Sequence, residues 1–380
     1  MNEPVRLAPP LAAAVKVYTA TVTGQTWLQH YCGLRPLFAC ILGFTETGLL
    51  PQISAAGATP DQRRYTAIAD AEFLYDGAYP APHHALPPLT AGASPAMISR
   101  AVLTGQEIPL YLFNAGLPQP PVVPHIDLAG LPARSLQTGQ ALPRDRVEAL
   151  FTQGLQWGAL LAQKNPHSYL ILGECVVGGT TTAQAVLTAL GYAVSGRMGS
   201  SHAVCNHAQK AALVTAGLRH WPGYRPNVPA GQAALAAIAA VGDPMQAVAA
   251  GMAIAASRYG GVMLAGGSQM LAVFAIARAI AQEQALTWQP AQIVVGTTRW
   301  VAEDPSSQAV GLAETIGDVP LIASQLSFGP SRYPQLRAYE QGFVKEGVGA
   351  GGCAISAQLY RGWTLMQLLA AVEAVLASCR

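Results

Sequence analysis

Two glutamates beside glycine-rich stretches are the residues of this sequence best suited to chemistry. Glu174 follows the apolar run 169–172 and precedes two glycines and three threonines, namely Gly178, Gly179, Thr180, Thr181 and Thr182. Glycines between a buried strand and a helix let backbone N–H groups approach an anion, which the helix dipole also favours. We therefore interpret residues 178–182 as a phosphate-binding loop. The alternative is an ordinary turn in which Thr180 only caps the helix.

The positions of the two carboxylates favour function over a purely structural role. Glu174 lies at the carboxyl end of a predicted buried strand, where a carboxylate is costly unless it is paired or used. Glu346 precedes four glycines in the six residues 347–352. Such a stretch lets the backbone approach a ligand and leaves the carboxylate open to it. A flexible linker before the predicted C-terminal helix 363–378 is the alternative, and we favour function.

Smaller polar clusters follow other predicted strands and helices. They comprise Ser200 and Ser201, the group Gly266, Gly267 and Ser268, and the pair Thr297 and Thr298. Lys210, on the next predicted helix, has the length to reach an anion, with a solvated lysine as the alternative. Asp243 and Pro244 are explained as the N-cap and first residue of a helix.

The elements that must position these residues alternate between strands and helices. Strands are predicted at 38–44, 109–113, 169–172, 259–265, 291–296 and 319–325. This order predicts a three-layer α/β/α fold with a mostly parallel, Rossmann-like sheet and a ligand site beyond the carboxyl ends of its strands. We expect an α/β core at 36–344 and a smaller helical domain from 1–35 plus 345–380. Residues 117–143 carry six prolines and are predicted to lie outside the sheet.

Composition narrows the classes of protein that are possible. Among 380 residues, 51% are apolar and 11% are charged, with a net charge of +2 and no block of like charge. Nucleic acid is therefore not an expected partner. The long uncharged windows 175–196 and 259–277 are interrupted by polar residues, and the apolar part of the N-terminus is too short for a signal peptide. We expect a cytoplasmic protein whose low surface charge reflects subunit contact.

No metal or cofactor is expected from the sequence. The six cysteines lack CxxC pairs, which is typical of reduced thiols. His202, Cys205 and His207 do not share a helical face and lack a fourth ligand nearby. His83 and His84 have no evident metal partners and are predicted to be loop residues.

Four motifs resemble those of a known family. They are GECVVGGTTTA at 173–183, GGSQM at 266–270, TTRW at 297–300 and KEGVGAGG at 345–352. Together they resemble the nicotinate-nucleotide:dimethylbenzimidazole phosphoribosyltransferases, and the segment 45–60 is similar to that of the archaeal and cyanobacterial-type branch. The resemblance covers residues 36–352 in the same order. Val176-Val177 departs from the family, which often has proline there.

The resemblance implies transfer of 5-phosphoribose from nicotinate mononucleotide to a benzimidazole or purine nitrogen. The products would be nicotinate and an α-ribotide that supplies the lower ligand of a cobamide. Glu346 would be the general base, Glu174 the second carboxylate, and residues 178–182 the phosphate loop. Less securely, Ser200, Ser201, Lys210, Gly266, Gly267, Ser268, Thr297 and Thr298 would contact substrate. The family also implies a homodimer without a cofactor.

Other functions remain open at this point. The same nucleotide would be hydrolysed if a glutamate activated water, or bound without turnover by a sensor protein. An assembly protein packed through its glycines would bind no ligand. The sequence does not identify the acceptor, since dimethylbenzimidazole, adenine and phenolic acceptors differ by only a few contacts.

Overall fold

A computed structural model describes residues 8–78, 82–89, 91–225 and 234–379. The helices are α1 (Pro9–Ala14), α2 (Thr21–His30), α3 (Pro60–Asp76), α4 (Ala96–Gly105), α5 (Arg144–Lys164), α6 (Gly179–Ala189), α7 (His207–His220), α8 (Ala234–Val241), α9 (Pro244–Ala256), α10 (Ser268–Glu283), α11 (Arg299–Ala302), α12 (Ala309–Ile316), α13 (Pro334–Arg337), α14 (Ala350–Arg361) and α15 (Leu365–Ser378). The strands are β1 (Val15–Val17), β2 (Leu37–Gly43), β3 (Leu110–Gly116), β4 (Ile126–Asp127), β5 (Tyr169–Cys175), β6 (Gly261–Ala265), β7 (Ile293–Thr298) and β8 (Leu321–Ser324).

The eight strands form one sheet in the order β1-β8-β7-β6-β5-β2-β3-β4. Every neighbouring pair is parallel except β1 with β8. Alternate residues of β2 enter two separate cores: Ala39 and Ile41 pack with α5, α9 and α10, whereas Phe38 and Cys40 pack with α4, α14 and α15. Helices therefore cover both faces, and the predicted three-layer, mostly parallel fold is confirmed.

The N-terminal segment differs from the prediction of a purely helical region. Residues 15–17 form β1, which pairs antiparallel with β8 from Val15 opposite Ser324 to Val17 opposite Ile322. A strand of three residues inside an alanine-rich stretch is too short to show a period of two. Residues 1–7 of the predicted helical domain lie outside the described residues. The division into a core and a smaller domain stays a prediction.

The proline-rich stretch 117–143 also contributes to the sheet, contrary to expectation. Ile126 and Asp127 pair with Phe113 and Asn114 as the edge strand β4. Proline is compatible with a sheet edge because one side of an edge strand needs no ladder hydrogen bond. Within the described residues, no helix combines the length and hydropathy needed to cross a bilayer.

Helices α5 and α9 pack with their backbones almost in contact. All residues of α9 are buried, and most of them are alanine, glycine or methionine. A Cβ atom added to Gly154 or Gly158 of α5 would lie 2.5 Å from the Val248 carbonyl oxygen or 2.4 Å from that of Met252. Glycine is thus required at both positions, and this close contact fixes the layer of helices behind the sheet.

Gly158→Ala tests this packing, because helix propensity and steric contact predict opposite results. Propensity alone would raise the free energy of unfolding by about 1 kcal/mol. We expect instead a loss of about 1–3 kcal/mol, because the added methyl group overpacks the contact with Met252. Urea unfolding measures the difference. Gln156→Ala, at an exposed position of the same helix, should be nearly neutral, and a Gly158→Ala variant more stable than wild type would refute the close contact.

Candidate active site

A cavity of about 440 Å³ opens beyond the carboxyl ends of β5 and β6. Nine of the residues predicted from the sequence line it: Glu174, Gly178, Gly179, Thr180, Ser200, Ser201, Gly267, Ser268 and Glu346. They come from separate stretches of the chain. The fold therefore brings the two glutamates and the glycine-rich loops to one place.

Two helices begin at residues that line this cavity. Helix α6 begins at Gly179, after Gly178 in the left-handed conformation at φ +88°, and α10 begins at Ser268. A Cβ on Gly178 would lie 2.8 Å from the Gly48 nitrogen, so the turn demands glycine for both space and conformation. The N-cap residue of α6 is Gly178, without a side-chain cap, so Thr180 does not serve as the cap.

The other two threonines of the loop lie behind the cavity wall. Thr181 is fully buried. The Thr182 hydroxyl hydrogen-bonds to the Asp243 carboxylate at 2.6 Å, and Asp243 accepts a hydrogen bond from the Met245 backbone N–H at 3.1 Å. Asp243 thus caps α9, as its sequence context indicated, and also anchors the start of α6. Thr182 thus holds the loop in place through its hydrogen bond to Asp243.

Glu346 is held by four hydrogen-bond donors at the N-terminus of α14. Its Oε1 accepts from the backbone N–H groups of Gly347 at 3.2 Å and Gly351 at 2.9 Å. Its Oε2 accepts from the Thr297 hydroxyl at 2.9 Å and the Thr298 N–H at 3.1 Å. Burial raises the pKa of Glu346, and these four hydrogen bonds act in the opposite direction. Thr297 and Thr298 thus contact Glu346, where the sequence suggests contact with substrate.

The backbone that carries Glu346 is strained. Val344 and Lys345 have φ of +69° and +67°, a region that is rare for residues other than glycine. Each is the central residue of a tight turn, closed by 2.9 Å hydrogen bonds from Lys345 N–H to the Phe343 carbonyl and from Glu346 N–H to the Val344 carbonyl. Such turns persist only where surrounding contacts determine them.

A buried ion pair provides much of that support. Lys345 Nζ lies 2.5 Å from Asp304 Oδ2, with the two side chains 3% and 5% exposed. The Thr298 hydroxyl also donates to the Lys345 carbonyl at 2.6 Å. The loop is thus held both through the Lys345 side chain and through the Lys345 backbone carbonyl.

Glu174 is buried at 4% exposure and accepts two hydrogen bonds. They come from the Val176 N–H at 3.1 Å and from Gln269 Nε2 at 2.9 Å. Burial, followed by the charges of Asp243 and Glu346, raises the pKa of Glu174 to about 8. Glu174 is therefore largely protonated at neutral pH, unlike an ordinary glutamate.

Lys210 is fully buried, so the alternative of a solvated lysine does not hold. Its ammonium donates to the Gly199 carbonyl, one residue before the cavity-lining Ser200. Burial lowers the pKa of Lys210 to about 8, and the charge of Lys345 acts in the same direction. Gly266 lies next to the cavity wall, where an added Cβ would be 3.8 Å from Glu174 Oε1.

Two charged residues of α3 that the sequence analysis did not select also line the cavity. Asp70 is 4% exposed and Arg63 is 5% exposed. Arg63 donates to the carbonyl groups of Gly48 and Gly57 at 2.7 and 3.2 Å, so it braces the loop between β2 and α3. The sequence does carry a signal for Asp70, since an aspartate within the mostly apolar stretch 66–74 is expected to be buried.

The histidines are arranged differently from the sequence expectation. Ligand atoms of Glu72, His83 and His84 lie within 4.8 Å of one another, although no metal partner was expected there. His84 Nδ1 lies 2.8 Å from Glu72 Oε1, which gives the buried carboxylate a partner without an ion. His202 and His207 instead contact the carbonyl groups of Gln52 and Ser306.

Comparison with known proteins places this geometry in a family. A family model described as "Phosphoribosyltransferase" (DBI_PRT) matches residues 105–294, half of the chain. The UPF0284 protein of Cyanothece sp. strain PCC 7425 is 63% identical over 361 residues, covering 95% of this chain and 96% of the relative. The UPF0284 protein of Trichodesmium erythraeum is 57% identical, covering 96% and 98%.

Solved structures share the fold at low sequence identity. The nicotinate-nucleotide-dimethylbenzimidazole phosphoribosyltransferase of Thermus thermophilus matches with a TM-score of 0.56 and 16% identity, covering 99% of this chain and 92% of that one. A second structure from the same organism, titled CobT, matches with a TM-score of 0.55 at 16% identity, covering 97% and 94%. The expected family is confirmed. The chain belongs to the phosphoribosyltransferase family and, within it, to the UPF0284 proteins found in these cyanobacteria.

Proposed function

We propose that this protein transfers 5-phosphoribose from nicotinate mononucleotide to a ring nitrogen of a benzimidazole or purine base. The observation that carries the proposal is the Glu346 carboxylate, fixed by four donors in a cavity that also receives two helix N-termini. A fixed carboxylate and an anion site are the two parts that this transfer requires. The product would be an α-ribotide for the lower ligand of a cobamide.

The reaction needs a base more than an acid. The bond between ribose C1 and the nicotinate nitrogen breaks, and the positively charged pyridinium leaves as a neutral ring without a proton. A ring nitrogen of the acceptor forms the new bond with its lone pair from the opposite face, so β becomes α, and the proton of the acceptor's ring N–H passes to the Glu346 carboxylate. A carboxylate with a raised pKa in a desolvated pocket suits this proton transfer.

Of the two glutamates, we expect only one to be negatively charged. Their mutual repulsion disfavours two anions in one buried site. Glu346 has four donors and Glu174 has two. The negative charge therefore belongs on Glu346, which acts as base, while protonated Glu174 offers a hydrogen bond to the substrate.

The nucleotide phosphate is assigned to the glycine-rich side of the cavity. The N-terminus of α6 and the residues with hydroxyl groups, Thr180, Ser200, Ser201 and Ser268, line that side of the cavity. Buried Lys210 adds positive charge behind Gly199. This arrangement positions ribose C1 without taking part in bond making. A homodimer in the cytoplasm, suggested by the low charge content, is part of the same proposal.

Nicotinate release from nicotinate mononucleotide tests the function directly. We expect release that depends on an added base, tested with adenine and dimethylbenzimidazole, and a matching amount of ribotide detected by chromatography. Release without any base would indicate hydrolysis. Tight nucleotide binding without release under any of these conditions would support a sensor and contradict the transferase.

Glu346→Gln tests the assignment of the base. Removing the proton acceptor should lower kcat by about 10² to 10⁴-fold, while the affinity for nicotinate mononucleotide changes by less than about twofold because the phosphate site is separate. Steady-state kinetics and calorimetric binding measure the two effects. Glu148→Gln, at an exposed glutamate paired with Arg144, is the matched control. An undiminished kcat would remove Glu346 from the mechanism.

The pH dependence of stability tests the protonation of Glu174. Its pKa rises from 4.5 to about 8 on folding. Between these values the folded state keeps a proton that the unfolded chain has lost, so stability falls as pH rises, by up to about 1.4 kcal/mol per pH unit. Glu174→Gln should remove this component of the slope.

The comparison must be between variant and wild type, because Asp70 and Asp243 also have raised pKa values of about 6. Urea unfolding at a series of pH values gives both curves. Parallel curves for the two proteins would show that Glu174 is ionised in the folded state.

A further inference from the structure

Asp70 is a buried carboxyl group that the proposed mechanism leaves unused. It lies on α3, lines the cavity and is 4% exposed. Its Oδ1 accepts from the Ser94 hydroxyl at 3.0 Å and its Oδ2 from the Cys175 thiol at 3.2 Å. Both donors are neutral, and no lysine, arginine or histidine among the described residues forms an ion pair with Asp70.

A buried carboxyl group with unused hydrogen-bonding capacity is energetically costly. A buried carboxylate has room for about four hydrogen bonds, of which two are used here. Burial raises its pKa to about 6, so it still carries charge near neutral pH. Asp70 lines the cavity, and a buried acceptor is stabilised when a donor on a bound molecule meets it.

The neighbours of Asp70 place it beside the reacting carboxyl groups. Ser94, its hydroxyl donor, precedes Pro95, and a Cβ added to Gly347, next to Glu346, would lie 3.3 Å from Pro95 Cγ. Cys175, its thiol donor, follows Glu174 in the chain. Asp70 therefore borders the part of the cavity where the acceptor would meet its base.

Apolar side chains form part of the cavity wall, beside the charged groups already named. Leu89, Pro95, Val176 and Val348 line the same cavity. The faces of a flat aromatic base can pack against such apolar side chains, whereas its edges carry the groups that form hydrogen bonds. Asp70, a buried carboxyl group on this wall, is able to accept a hydrogen bond from one edge of the acceptor, while Glu346 takes the proton of the acceptor's ring N–H.

We propose that Asp70 selects the acceptor, favouring a base that presents a hydrogen-bond donor, such as an amine or hydroxyl, at the edge away from its reacting nitrogen. This inference rests on the proposed function. An acceptor whose edge carries only hydrogen or methyl groups leaves Asp70 with the Ser94 and Cys175 donors alone and its remaining capacity unused. Sites with a buried polar group discriminate strongly against analogues that lack the matching donor.

Paired acceptors test the selection. Adenine and purine differ by one amine, and the comparison with 5,6-dimethylbenzimidazole adds a methylated edge. For wild type we expect kcat/KM for adenine to exceed that for each of the other two by about tenfold or more. Asp70→Leu, which is similar in size and apolar, should bring the ratios to within about threefold and improve the methylated acceptor. The KM for nicotinate mononucleotide should stay unchanged.

Control variants test whether a change in acceptor preference is specific to Asp70. Asp61→Asn changes an exposed aspartate on the same helix and should preserve the wild-type preference. If Asp70→Leu does not fold, Asp70→Asn takes its place, because it removes the charge and keeps the shape; the preference should then weaken in the same direction. A wild-type preference for the methylated acceptor, or an unchanged preference in the variants, would overturn the proposal.

Equilibrium dialysis of adenine and purine separates this inference from the proposed function. Binding is measured on wild type and on the Asp70 variant with nicotinate mononucleotide present. If no acceptor yields a ribotide, the transfer reaction is refuted, yet adenine should still bind wild type about tenfold more tightly than purine and lose that advantage in the variant. Equal binding of the two bases by wild type would overturn the role of Asp70 whatever the reaction.

Discussion

Burial of several carboxyl groups around one cavity is the constraint on which the rest of this structure depends. Glu174, Glu346 and Asp70 share a desolvated space in which they cannot all be charged at low cost. In this fold the carboxyl groups have different numbers of hydrogen-bond donors around them. Glu346 receives four donors and the N-terminus of α14, whereas Glu174 receives two and has a pKa of about 8. Unequal hydrogen bonding thus gives similar side chains different tendencies to hold a proton.

Maintaining that difference requires rigid support from distant parts of the chain. Helix α14 packs against β5 to β8, so the N–H groups that hold Glu346 are fixed relative to the strand that carries Glu174. The Lys345 and Asp304 ion pair holds a backbone that would otherwise relax out of its positive φ values. The glycine contacts between α5 and α9 brace the opposite face of the sheet. The positions of the carboxyl groups in the cavity therefore depend on the packing of all three layers.

The sequence predicts most of the fold because long, uniformly apolar strands and glycine-rich turns are local signals. It also predicts that Glu174 and Glu346 meet, since the motifs that carry them share the site of one family. What it cannot predict is the direction of individual side chains. Thr297, Thr182 and Lys210 have suitable chemistry, but the structure turns them toward Glu346, Asp243 and the Gly199 carbonyl. Asp70 was missed because burial of a helical aspartate depends on partners more than 20 residues away, such as Ser94.

The cavity draws its parts from separate stretches of chain, and this has a consequence for how such proteins diversify. The side of the cavity proposed to bind the nucleotide is built by α6 and α10, whereas Asp70 and Ser94 come from α3 and the turn before α4. In the proposed reaction, substitutions at Asp70 or Ser94 would therefore change what meets the acceptor while leaving the residues at the starts of α6 and α10 unaltered. Preference for the acceptor and preference for the nucleotide would then be able to change separately during evolution.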